Sequence, residues 1–211
     1  MSAPAAPDLT GALVLVTGAS SGIGSALARG LAAAGADLVL VARRAGRLAA
    51  LADELRAAHR TEVTVLPRDL AAPDAGPALR AELSSRGPRV TGLVNNAGFG
   101  SGLPFGREDP ARLEAMPAEE ERGRERVLCV SPSSTGTEFF DVAGTPGAGG
   151  GFARRAAPDD VAAAVLRVLA RRGGPAEVVP HDRAVTVAAR LLPRTVLRGM
   201  GAMHRRGAAR R

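Results

Sequence analysis

With 211 residues, 45% of them apolar, the chain is long enough to bury one sizeable core, and nothing in its length calls for a second domain. Aromatic side chains make up only 2%, with neither Trp nor Tyr, so the core must be packed from Ala, Val and Leu. The formal charge of +7 does not mark a nucleic-acid binder: from Arg183 onward there are eight Arg and no acidic residue, whereas the other 20 Arg and 21 acidic residues nearly cancel.

In chain order, residues 1–10 are rich in Ala and Pro and read as a flexible N-terminus without the cationic start and long apolar stretch of a secretory signal. No apolar run reaches the roughly 18 residues of a membrane span, and the expected location is cytoplasmic. Strand and helix patterns then alternate: strand 12–17, helix 22–34, strand 37–42, helix 45–59, strand 63–67, helix 75–86 and strand 91–95. Short apolar strands with little alternation, separated by Ala/Leu/Arg helices, predict a parallel sheet covered on both faces.

The first strand runs into Thr17-Gly18-Ala19-Ser20-Ser21-Gly22-Ile23-Gly24 and then into a helix. Such a turn suits a dinucleotide pyrophosphate, because glycines admit the main chain close to the phosphates and the helix N-terminus presents free N–H groups. The spacing, T-G-x-x-x-G-x-G, resembles the short-chain dehydrogenase/reductase family. Asn95-Asn96-Ala97-Gly98, following the strand Thr91-Gly92-Leu93-Val94, resembles that family's second signature. The resemblance implies an α/β fold, a Rossmann-like doubly wound parallel sheet, and hydride transfer between a nicotinamide dinucleotide and an alcohol or carbonyl.

After Gly98 the alternation breaks. Residues 99–106 are a Gly-rich loop, 109–116 begin a helix, and 117–126 are charged, with Glu119, Glu120 and Glu121 in a row. Residues 127–144 resemble the family's sixth strand and its following loop, so the family's late fifth helix, fifth strand and most of its sixth helix have no counterpart. Those elements need roughly 40 to 60 residues where about ten stand. The expectation is an internal deletion near residues 116–126 within a domain spanning 11–182, leaving about six strands. In that arrangement strand 126–130 closes the gap beside strand 91–95, with 109–122 as the right-handed crossover. Cys129, the single cysteine, reads as a small buried residue. The stretch 145–151 is a lid or a solvated linker, 158–172 a helix begun at Asp159 and Asp160, and 176–179 a last strand.

By this resemblance Gly18, Ser20, Ser21, Gly22, Ile23 and Gly24 hold the cofactor phosphates. Arg43 and Arg44 end the second strand, where an Arg pairs with a ribose 2′-phosphate, which favours NADP(H); Arg44 alternatively is a solvated charge at a helix start. Asp69 and Leu70 match the family's adenine-side pair, or Asp69 is a helix cap. Asn95 matches the residue tying the fourth strand to the cofactor loop and is expected to be buried, with Ala97 and Gly98 beside it. Thr137 matches the threonine after the sixth strand that bonds the carboxamide, while Ser133 stands where the family has glycine.

The family's proton donor is a Tyr, helped by a Lys, a Ser and a relay Asn. This sequence has no Tyr and no Lys, and its only asparagines are Asn95 and Asn96. Ser131, Ser133, Ser134, His59, His181 and His204 are the remaining candidates, each reading more simply as a surface or turn residue, and no two His are spaced for a metal. No catalytic residue is therefore assigned. The expected function is that of an NADP(H)-binding oxidoreductase of this family with impaired catalysis, or alternatively a nucleotide-binding pseudoenzyme acting as sensor or partner subunit. In the family the fifth and sixth helices pair subunits, which leaves homo-oligomer formation open. In the basic tail, 183–211, Leu192, Val196, Met200 and Met203 oppose Arg190, Arg194, Arg198 and Arg205 on a helix that caps the domain edge or contacts an anionic membrane.

Overall fold

The computed structural model describes residues 7–87, 89–98, 128–130, 135–142, 156–170 and 177–178. The elements in chain order are β1 (Leu13–Thr17), α1 (Gly22–Ala33), β2 (Asp37–Ala42), α2 (Ala45–Ala58), β3 (Val63–Pro67), α3 (Ala75–Ser85), β4 (Gly92–Val94), β5 (Cys129–Val130), α4 (Phe139–Val142), α5 (Pro158–Leu169) and β6 (Glu177–Val178). The expected loop 99–106, the helix start at 109, the crossover and deletion junction through 126, the stretch 145–151 and the basic tail lie outside the described residues.

The four strands of the first half form one parallel sheet in the order β3-β2-β1-β4. Each of β2, β3 and β4 follows a helix too long for a hairpin, so the chain returns to the same end of the sheet and all four strands run the same way. Successive residues of the central strands point to opposite faces. On one face Val14, Val16, Leu38 and Leu40 pack against Ala28 and Leu31 of α1 and against Leu48, Leu51 and Leu55 of α2. These α2 positions recur at helical spacing and make its single buried stripe. On the other face Leu15, Val39, Val41 and Leu66 meet Leu79 of α3. Burial of both sheet faces explains why these strands read as unbroken apolar runs. Leu93, in register with Leu15, is 51% exposed at the sheet edge.

The helix begun at the Asp pair is α5. Pro158 occupies its first turn, and the Asp160 carboxylate accepts the Ala157 N–H at 3.3 Å. Its Ala162 and Val165 close on Ala26 and Leu27 of α1, and Ile23, Val94, Leu128 and Val130 fill in around them.

The second half corrects one expectation. Among the described residues strand β5 does not pair with β4; it pairs in parallel with β6, Cys129 opposite Glu177 and Val130 opposite Val178, as a separate two-stranded ladder. The six described strands therefore form a sheet of four and a sheet of two. The physical reason lies in the side chains: Leu128 and Val130 reach the same apolar cluster as Val94, so β5 meets β4 through packing while its backbone groups are satisfied by β6. No helix among the described residues is long and apolar enough to cross a membrane.

Candidate functional site

The site forms where β1 and β2 end side by side, Thr17 opposite Val41. From there the chain enters the turn 18–21, and Ala19 anchors that turn by donating its N–H to the Val41 carbonyl at 3.3 Å. Gly18 has φ +64 and Gly22 φ +57, in the left-handed region. Ser21, extended at φ −170, precedes α1, and neither a side-chain cap nor an acidic first-turn residue covers that helix's N-terminus. The first-turn N–H groups of α1 are thus left without a cap from their own helix.

The turn is held from β4. Asn96 donates its side-chain amide to the Thr17 carbonyl at 3.0 Å, and a Cβ on Gly24 would lie 2.4 Å from the Gly18 carbonyl oxygen and 2.6 Å from that same amide nitrogen. The Thr17 hydroxyl is a buried hub: it accepts the N–H groups of Asn96 and Ala97, each at 2.9 Å, and donates to the Val94 carbonyl at 3.3 Å. Asn96 thus ties the fourth strand to the glycine turn by its side chain as well as its main chain. Asn95, expected in that role and expected to be buried, is exposed, and its Oδ1 lies 3.5 Å from the Thr17 hydroxyl, so both asparagines reach the end of β1. Ala97 spends its N–H on Thr17, and Gly98 is exposed with open space around it.

The two arginines after β2 diverge. Arg44 folds back over the turn, donating from Nε and Nη2 to Ser20 Oγ at 3.2 and 3.1 Å and from Nη2 to Ser21 Oγ at 2.7 Å. Arg43 is exposed and has no hydrogen bond or ion pair among the described residues. On the adenine side, the exposed Asp69 carboxylate accepts the Ala71 N–H at 3.1 Å, a local turn bond rather than the cap of α3, and Leu70 turns its side chain into the α3-side core.

Thr137 comes to the turn from the other half of the chain, its methyl close over Gly22. Its hydroxyl accepts the Phe139 N–H at 3.3 Å and so starts α4, a short helix the sequence pattern did not reveal. The segment is pinned where Gly136 donates to the Ala156 carbonyl at 2.9 Å. A cleft of about 400 Å³ opens between these parts, lined by Ser21, Gly22, Arg29, Thr137, Asp141 and Asp159 among others. Glu138 is the residue that sequence reasoning missed. Its carboxylate accepts from Arg44 Nη1 at 2.7 Å and from Arg47 Nη1 at 2.8 Å. These hydrogen bonds, Arg47's first and Arg44's second, hold its pKa at about 2. A carboxylate whose pKa is lowered on folding keeps its contacts above the unfolded value of 4.5 and loses them only as pH falls through about 2. The Glu138 carboxyl carbon shift in NMR is therefore expected to stay flat from pH 8 down to about 3, and a titration midpoint near about 4.5 would contradict the geometry. No metal cluster of His, Cys or carboxylates occurs among the described residues. Ser131, Ser133, Ser134, His181 and His204 lie outside them; His59, which is described, ends α2 and is remote from the turn in the chain.

A four-stranded parallel sheet with a glycine turn and an uncapped helix at its C-terminal edge defines a Rossmann-like α/β domain. The chain belongs to the short chain dehydrogenase family, whose sequence profile matches residues 12–120. It is 39% identical over 94 residues to a very-long-chain 3-oxoacyl-CoA reductase of Aspergillus clavatus, covering 44% of this chain and 27% of that protein. It is 41% identical over 110 residues to 11-beta-hydroxysteroid dehydrogenase 1A of Arabidopsis thaliana, covering 52% of this chain and 32% of that one. The matched region thus spans about a third or less of each of these two relatives. Among solved structures, a short-chain dehydrogenase from Sphingobium yanoikuyae in complex with NADPH superposes with a TM-score of 0.68 at 25% identity, over 90% of this chain and 95% of that one. An alcohol dehydrogenase from Thermococcus sibiricus shares the fold at 20% identity, with a TM-score of 0.61 over 80% of this chain and 95% of that one.

Proposed function

We propose that this chain binds NADP(H) at the β1–α1 turn and acts as an oxidoreductase of its family on an alcohol or carbonyl, with its proton-transfer step impaired. The observation that carries the reading is Arg44, whose guanidinium bridges Ser20 and Ser21 beside the uncapped α1 N-terminus. The residues fit a dinucleotide. Close approach at Gly18 and Gly24 leaves room for main chain only, the α1 N–H groups suit the pyrophosphate, and Arg44 with the two hydroxyls suits a 2′-phosphate. Arg43, Asp69, Leu70, Asn95, Ala97, Gly98 and Thr137 complete the proposed contacts, with Leu70 acting through its main chain.

When bound, the dinucleotide supplies or accepts the hydride. The protein's own task is to hold the substrate and give a proton to the developing alkoxide, and without phenol or lysine it lacks the family's means of doing so. General acid catalysis typically contributes about 10² to 10⁴ in rate, so turnover about a hundredfold or more below an intact family enzyme is expected. The same lack of Tyr and Lys favours a second reading, a nucleotide-binding pseudoenzyme.

Calorimetry with NADPH and NADH, coupled to NADPH oxidation over a panel of aldehydes and ketones, separates these readings. NADPH is expected to bind more tightly, and Arg44→Ala to weaken NADPH by about tenfold or more while barely moving NADH, since charge-assisted bonds contribute about 1.5–3 kcal/mol. Tighter binding of NADH by the unmodified chain would reverse the cofactor assignment. Slow turnover supports the impaired enzyme, and binding with none supports the pseudoenzyme.

A further inference from the structure

We infer that Glu138 is a built-in counter-anion of the 2′-phosphate subsite, restraining this chain's preference for phosphorylated over unphosphorylated dinucleotide. The inference rests on the NADP(H) reading above and goes beyond it, because Glu138 comes from the far half of the chain and belongs to neither signature motif.

The donors of Arg44 can be counted. Its guanidinium has five N–H groups. Nε and Nη2 are turned to Ser20 and Ser21, and Nη1 is turned to Glu138 at 2.7 Å. One Nη1 N–H is left uncommitted, so a phosphate monoester arriving beside the two hydroxyls shares the Arg44 guanidinium with Glu138 rather than having it alone. Arg47 is engaged by the same carboxylate, through both oxygens at 2.8 and 3.0 Å. Glu138 therefore engages both Arg44 and Arg47, and left in place it would set a carboxylate against a group of about −1.5 to −2 charge. Being ionised throughout the neutral range, it cannot relieve that repulsion by taking a proton.

Displacement needs no rearrangement of the backbone. Glu138 is half exposed, with 42% of its side chain accessible, while its neighbours Gly136 and Thr137 stay pinned to Ala156 and against Gly22. Rotation of the side chain alone frees the subsite. An unphosphorylated ribose presents a neutral 2′-hydroxyl, which a carboxylate at this position accepts rather than repels. Glu138 thus weakens the binding of NADPH and leaves NADH binding untouched or slightly helped.

The test is calorimetric binding of NADPH and NADH to the full chain and to Glu138→Gln, which keeps shape and removes charge. Glu62→Gln serves as a control for net charge, since Glu62 is exposed and precedes β3 at the opposite edge of the sheet. Circular dichroism establishes that each variant is folded, and Glu138→Ala is expected to act in the same direction. The expected result is NADPH binding tightened about three- to tenfold in Glu138→Gln, with NADH unchanged or weakened and Glu62→Gln indistinguishable from the parent. Normal NADPH binding with an unaltered NADPH/NADH ratio overturns the inference while leaving the function intact. Failure of parent and variant alike to bind NADPH overturns both.

Discussion

Gly24→Ala is expected to destabilise the domain by about 1–3 kcal/mol, as overpacking does in an interior that cannot relax, and to weaken NADPH binding at least about tenfold, a loss of about 1.4 kcal/mol. The added methyl would stand 2.4 Å from the Gly18 carbonyl oxygen and 2.6 Å from the Asn96 amide nitrogen. The first of these atoms is backbone and the second is bonded to the Thr17 carbonyl, so neither can swing aside without opening the turn. The N–H groups proposed to meet the pyrophosphate shift with it. Urea unfolding and calorimetry measure the two effects. Gly46→Ala is the matched control, because a Cβ there meets nothing within 4 Å; its helical position predicts a change of at most about 1 kcal/mol, towards stability. Equal behaviour of the two variants would remove the close-approach argument.

The second large effect is expected at Thr17. Replacing it with Val keeps the shape but removes the acceptor of two main-chain N–H groups, those of Asn96 and Ala97. Leaving a buried donor unsatisfied costs about 1–3 kcal/mol, and with two donors affected a loss of about 2–4 kcal/mol is expected. Thr17→Ser, which restores the hydroxyl, should recover most of it. Hydrogen exchange at Asn96 and Ala97 should speed up in the Val variant beyond the global change. Wild-type stability in Thr17→Val would mean that these amides find another partner, and the hub role would fall.

The first half of the fold was legible because its signals are local. Apolar runs such as 13–16 and 38–41, broken by Ala/Leu helices, place strands and helices within a residue or two of where they stand, and the glycine turn carries its own conformational requirement. That Arg44 would lie beside Ser20 and Ser21 was legible too, since adjacent parallel strands end at one edge and bring their following turns together. Which of Asn95 and Asn96 bonds the carbonyl at the start of the turn could not be told from the motif, because it depends on where the short strand β4 stops pairing. The partner of β5 was equally out of reach, since two residues of strand carry almost no pairing preference of their own.

Local chemistry in the sequence thus determined the α/β class, the parallel half-sheet, the uncapped helix behind a glycine turn, and the lack of the family's phenol and lysine. Tertiary structure alone decided that Asn96 and Thr17 lock the turn, that β5 joins β6, and that Glu138 reaches Arg44 across 94 positions of chain. Secondary structure follows from periodicity within a few residues, whereas a contact between distant side chains depends on the whole packing that delivers them to one place.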